Sequence, residues 1–199
     1  MLTFPVSYPV TASFSILSIG QTVRITDALG TLILYVKQKA FRLKTDVVVF
    51  ADEAQTQPVY RIRGDRMMGS VKYAVSTADG RLVGTLQRQW ASFLWSATYR
   101  VFDANGAELG TIRQQNPWVR VLHGLVEEIP FVGIVAQMFV NPTYVVDVPV
   151  ATTVMRLVKK ASFTSRTFVI ESVAQLARDT EQVVLPAVVT FALMERARA

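Results

Sequence analysis

The sequence predicts a mainly β protein, in which about twelve antiparallel strands close into a barrel around an apolar C-terminal helix. Three observations carry this. Strand–turn–strand units recur along the chain. The strand-like runs are short and regularly interrupted by turn residues, as in barrels and sandwiches. The segment 183–194 is apolar on every side, so it has no face to give to water and must be enclosed.

In chain order, residues 1–13 contain Pro5 and Pro9 and no clear period. They read as an irregular lead-in to a single domain over residues 14–199. From Phe14 the pattern is β. Val23 and Ile25 alternate with Arg24 and Thr26, Asp27-Ala28-Leu29-Gly30 makes a turn, and Leu32, Leu34 and Val36 share the next face. Residues 47–50 and 59–63 are further strands. The segment from Tyr73 through Val75, Asp79-Gly80 and Gly84-Thr85 then repeats 26 residues later as Tyr99, Val101, Asn105-Gly106 and Gly110-Thr111. Residues 25–37 are a fainter copy, turning at Gly30. Asp-Gly and Asn-Gly between alternating runs are strong hairpin signals. Few and diverged copies fit successive hairpins of one sheet better than a solenoid.

After Pro117 the period changes. Trp118, Val121, Leu122 and Leu125 recur at helical spacing, Ile129-Pro130 interrupts them, and Asn141-Pro142 ends a second apolar piece. This predicts a short helical insertion near residues 118–140. Residues 144–148, 153–158 and 168–171 return to strand, and 172–178 form a short helix or loop. The final apolar run is too short for a bilayer, which asks for roughly 20 residues, so the barrel lumen is its expected place. Pro186 leaves two options: the helix begins near Glu181 or Gln182, or it is kinked at the proline.

The chain has 199 residues, of which 51% are hydrophobic and 18% charged. That excludes a disordered chain. It has no cysteine, so disulfides, zinc-thiolate sites and cysteine nucleophiles are ruled out. The absent thiols suit a reducing cytoplasm. Neither a signal-peptide pattern nor a long uninterrupted apolar stretch is present, which predicts a cytoplasmic protein that is soluble or attached at a membrane surface. The formal charge of +6 favours polyanionic partners.

Two basic clusters are the candidate anion-binding residues: Lys37, Lys39, Arg42 and Lys44, and then Arg61 and Arg63. On a strand, residues two apart share a face, so Lys37 pairs with Lys39, Arg42 with Lys44, and Arg61 with Arg63. Such pairs suit an anionic headgroup. The competing reading is charge kept on an exposed barrel face for solubility. Trp90, Phe93 and Trp95 stand beside arginines and read as rim packing before base stacking. Nothing in the pattern asks for catalysis. His123 is the single histidine and has no nucleophile or carboxylate at triad spacing, and Glu127-Glu128 are neighbours that a helix points apart. Phosphate-loop motifs and metal-ligand spacings are absent from the sequence. We therefore expect a non-enzymatic domain with no cofactor.

The repeated hairpins, together with Asn141-Pro142-Thr143-Tyr144, Leu157-Val158-Lys159-Lys160, Phe168-Val169-Ile170-Glu171 and the closing apolar run 185–196, resemble bacterial members of the LURP-one-related group. That group belongs to the tubby C-terminal-like superfamily with the phospholipid scramblases. The resemblance spans about residues 14–198 and implies a twelve-stranded barrel around a central hydrophobic helix. It also implies a range of roles, from phosphoinositide binding to lipid movement and plant defence. Scramblases carry a spanning C-terminal helix, palmitoylated cysteines and an acidic calcium segment, none of which this chain matches. The expected partners are anionic phospholipid or a membrane surface, or a protein docking on residues 118–140. Nucleic acid is admitted by charge alone and favoured less. A small-molecule-binding barrel and a scramblase-like lipid-handling protein are the alternatives.

Overall fold

The computed structural model describes residues 6–15, 21–38, 46–67, 70–89, 98–115, 143–149, 151–160 and 165–198. They form twelve strands and one helix. The strands are β1 (Val10–Ser15), β2 (Gln21–Thr26), β3 (Leu32–Gln38), β4 (Asp46–Phe50), β5 (Pro58–Met67), β6 (Ser70–Thr77), β7 (Leu82–Gln89), β8 (Thr98–Asp103), β9 (Glu108–Gln114), β10 (Thr143–Val148), β11 (Ala151–Lys160) and β12 (Ser165–Ser172). The helix, α1, is Arg178–Arg198.

Each strand runs antiparallel to its chain neighbours, and β1 pairs with β12 to close the barrel. Closure leaves no sheet edge for another chain to pair with. The closing seam runs from Val10 opposite Ile170 to Ser15 opposite Ser165, and Phe14 meets Phe168 edge-to-face at 5.7 Å. Strand formation therefore starts at Val10, earlier than the irregular lead-in expected over residues 1–13. Pro9 precedes the strand rather than interrupting it, so it costs no ladder hydrogen bond.

The hairpin repeat has a common turn geometry. In the copy at Asn105-Gly106, the Gly106 N–H donates to the Asp103 carbonyl, and the Asp103 side chain accepts from the Asn105 and Ala107 N–H groups at 2.9 and 2.8 Å. Asp27 does the same for Leu29 and Thr31. Gly30, Gly80 and Gly106 all take a positive φ, near 79°, 90° and 84°, a left-handed conformation that residues with side chains rarely adopt. The ladder slips by one residue beside each turn. These are three-residue loops with a bulge, not two-residue turns.

Inward side chains alternate along the strands, for example Val10, Ala12 and Phe14 on β1 and Tyr73, Val75 and Thr77 on β6. They surround α1. Residues 184–192 are buried without a break. At about 100° per residue such a run presents every face of the helix, so protein encloses it on all sides. The helix packs closest to β7, β8 and β9. A Cβ at Gly84 on β7 would lie 2.6 Å from both Val183 Cγ1 and the Phe102 carbonyl oxygen. The equivalent glycine of the second repeat, Gly110, would meet the Asp147 carbonyl at 2.3 Å. The repeated glycine thus marks where neighbouring backbone comes too close for any side chain.

The helix begins at Arg178, ahead of Glu181, so Pro186 lies in its interior. This corrects the option that placed Pro186 in the first turn. An interior proline costs about 3 kcal/mol in an isolated helix. Burial of the surrounding apolar residues offsets that cost here. Residue Thr190, buried among them, donates its hydroxyl to the Pro186 carbonyl at 2.8 Å and so leaves no orphaned polar atom. Residues 173–177 are not helical. The helical insertion expected near 118–140 lies outside the described residues.

The barrel has two distinct ends. The turns at 27–31, 51–57, 78–81 and 104–107 lie at one, which we call the turn end. The helix enters there and finishes at the other. Its two ends are tied alike. At the turn end the Tyr8 hydroxyl donates to Glu181 Oε1 at 2.7 Å. At the opposite end the Tyr144 hydroxyl donates to Glu195 Oε1 at 2.6 Å.

Candidate functional site

Of the predicted anion-binding residues, Lys37, Arg61 and Arg63 fall among the described residues, whereas Lys39, Arg42 and Lys44 lie outside them. So do Trp90, Phe93, Trp95, His123, Glu127 and Glu128. Lys37 stands near the end of β3, and Arg61 and Arg63 stand on β5, with β4 between. All three are exposed. Even-numbered residues of β3 and β5, such as Leu34, Val36 and Ile62, fill the core, so alternation turns Lys37, Arg61 and Arg63 outward.

The register sets their spacing. Tyr35 opposes Phe50, which brings Lys37 alongside Val48 by antiparallel counting, and Val48 in turn opposes Arg61. Lys37 and Arg61 therefore flank β4 on the outer face, about 10 Å apart at two interstrand steps. Arg61 and Arg63 share a face, as their spacing predicts.

Asp46, which the sequence reading did not single out, sits between the two arginines. Arg61 Nε donates to Asp46 Oδ1 at 2.7 Å, its terminal nitrogen bonds Oδ2, and Arg63 Nε lies 3.7 Å from Oδ2. The hydrogen bond from Arg61, followed by the charges of Arg61 and Arg63, holds the Asp46 carboxyl below the usual carboxylate range. An incoming anion must share the arginines with this carboxylate. Asp46 is far from Arg61 in sequence, and only the β4–β5 register brings them together, so no local pattern could have shown it.

A second feature is a cleft of about 520 Å³ at the turn end, lined by Val6, Tyr8, Met155, Leu176, Arg178 and Glu181 among others. Burial, then the hydrogen bond to Glu181 and its charge, push the Tyr8 phenol far above its usual range. Tyr8 therefore stays a neutral donor and holds Glu181 in place; it does not exchange protons with a ligand near neutral pH. Among the described residues no group of three His, Cys, Asp or Glu side chains could hold a metal ion, and no helix is long and apolar enough to cross a membrane.

No curated protein and no solved structure matches the chain. A family model does, that of the LURP-one-related family, over residues 32–97. This is about a third of the chain and covers β3 to β7. It contains every predicted anion-binding residue. Over β3 to β7 the chain is thus similar to the LURP-one-related family, which is part of the tubby-like and scramblase superfamily.

Proposed function

We propose that this barrel is a non-catalytic docking domain that engages anionic phospholipid through outward basic residues, with Lys37, Arg61 and Arg63 among them. The observation that carries this reading is the filled lumen. In many β-barrels the interior is the ligand cavity. Here α1 occupies it, and residues 184–192 leave no unburied face. Recognition is then left to the outer surface and the rims. On that surface Lys37, Arg61 and Arg63 outnumber Asp46 and Asp65 by one on β3 to β5. A basic residue near an anionic bilayer contributes about 1 kcal/mol, so a few suffice for reversible attachment.

Sedimentation with vesicles of phosphatidylcholine alone, and of phosphatidylcholine with phosphatidylserine, tests the reading. At low salt the protein is expected to pellet with the anionic vesicles only. Asp46→Asn, which frees both arginines, should strengthen binding severalfold, and Arg61→Gln with Arg63→Gln should weaken it. Failure to pellet with either vesicle would refute it. The cleft beside Tyr8 favours a second reading, a small-molecule site at the turn end, since its volume is in the usual range for such sites. Native mass spectrometry of the purified protein, showing no mass beyond that of the chain, would remove it.

A further inference from the structure

We infer that the barrel meets an anionic bilayer end-on, with the rim where α1 finishes facing the lipid and the turn end facing away. The inference rests on the lipid-docking reading above and places the contact at the rim that Lys37 shares, with Arg61 and Arg63 on the wall behind it.

Its basis is a sorting of charge along the barrel axis. Carboxylates collect at the turn end for reasons of local structure. Asp27, Asp52 and Asp103 accept N–H groups of their own turns, and Glu53 and Asp79 lie in the same set of turns. Asp179 and Glu181 occupy the first turn of α1, where the helix dipole favours negative charge. Asp46, Asp65 and Glu195 lie toward the opposite rim, but basic residues outnumber them there among the described residues. Every lysine among the described residues (Lys37, Lys72, Lys159 and Lys160) lies within three residues of a strand end at that rim. Lys37, Lys72 and Lys160 are exposed.

The arrangement around the barrel selects the partner. These three lysines stand on β3, β6 and β11, which are three, five and four steps apart around the closed ring. They are spread around the circumference. A peptide or a nucleic-acid strand touches one sector of such a rim at a time. A plane of negative charge meets the lysines of all three sectors together, and a bilayer is such a plane. The acidic turn end is repelled by the same surface, so the two ends act together to set the orientation.

The absence of cysteine allows a clean test by single-site labelling. Gln89→Cys places an environment-sensitive dye at the lysine rim, and Ala104→Cys places it at an exposed turn tip; both positions are exposed. With phosphatidylserine-containing vesicles, the dye at position 89 is expected to brighten and the dye at 104 to stay unchanged. Lys72→Gln and Lys160→Gln should each lower partitioning about fivefold. Ala78→Lys adds the same unit of charge at the turn end and should leave it unchanged. Circular dichroism confirms that each variant is folded. An equal response from both dyes, or a gain from Ala78→Lys as large as the loss from Lys72→Gln, overturns end-on docking and leaves the lipid reading standing. No vesicle binding by the unaltered protein overturns both. Displacement of bound protein from vesicles by a single-stranded oligonucleotide at equal charge concentration overturns the inference in favour of nucleic acid.

Discussion

The inner and outer faces of this barrel are built from alternate residues of the same strands, yet they hold different kinds of energy. Inside, Phe191 of α1 stands edge-to-face between Tyr99 and Tyr144, with ring centroids at 5.1 and 4.8 Å. All three rings are buried. Outside, cross-strand ion pairs such as Arg61–Asp46, Arg100–Glu108, Arg113–Asp147 and Arg156–Glu171 remain open to solvent. Exposed pairs of this kind contribute between nothing and about 1 kcal/mol each. The inner face therefore carries the stability, while the outer face can change its charges, and hence its partners, at little cost to the fold.

The largest expected effect that tests this contrast is on the inside. Phe191→Ala removes the ring that joins the helix to β8 and β10 and should cost about 3–5 kcal/mol, read as a lowered urea midpoint. A loss under 1 kcal/mol would mean that the helix does not hold the barrel together. Next come the two ties at the helix ends. Tyr144→Phe leaves the Glu195 carboxylate without its phenol donor and should cost about 1.5–3 kcal/mol. Tyr8→Phe should cost less, because Tyr8 is only partly buried. On the outer face, Glu171→Gln should change stability by no more than about 1 kcal/mol. An effect there larger than that of Tyr144→Phe would reverse the contrast.

The smallest effect is one of pH. The hydrogen bond from Arg100 holds Glu108 below its usual range, as the one from Arg61 does for Asp46. The folded state prefers both groups ionised. Their contribution is fully present above the ordinary carboxylate pKa of about 4, and it fades as pH falls through the lowered folded-state values. Urea midpoints measured on the way down from neutral pH should fall in acid, and Asp46→Asn with Glu108→Gln should flatten that fall slightly. A midpoint that rises with acid would contradict the sign.

Much of this was legible in the chain. Local chemistry determined the hairpins, because Asp27, Asp103 and the following glycines satisfy a turn's own N–H groups whatever surrounds them. The alternation of Val10, Ala12 and Phe14, or of Tyr73 and Val75, assigned faces before any neighbour was known. The unrelieved apolarity of 183–194 required enclosure, and only a strand meander was available to supply it. The start of β1 at Val10 was missed because two prolines hid a short strand whose partners lie at opposite ends of the chain. The position of Pro186 stayed open between two options because helix propensity penalises an interior proline and only burial offsets the penalty.

What the sequence determined by itself was the set of local units and the need to bury the last one. The tertiary structure decided what those units meet. Ring closure put Phe14 against Phe168, the β4–β5 register set Asp46 between Arg61 and Arg63, and the passage of α1 through the lumen brought Tyr8 to Glu181 and Tyr144 to Glu195. It also gathered the carboxylates of the turns at one end and the described lysines toward the other. None of these is encoded by neighbours in the chain. They follow from strand register and closure, which are settled by the summed packing of all twelve strands around the helix.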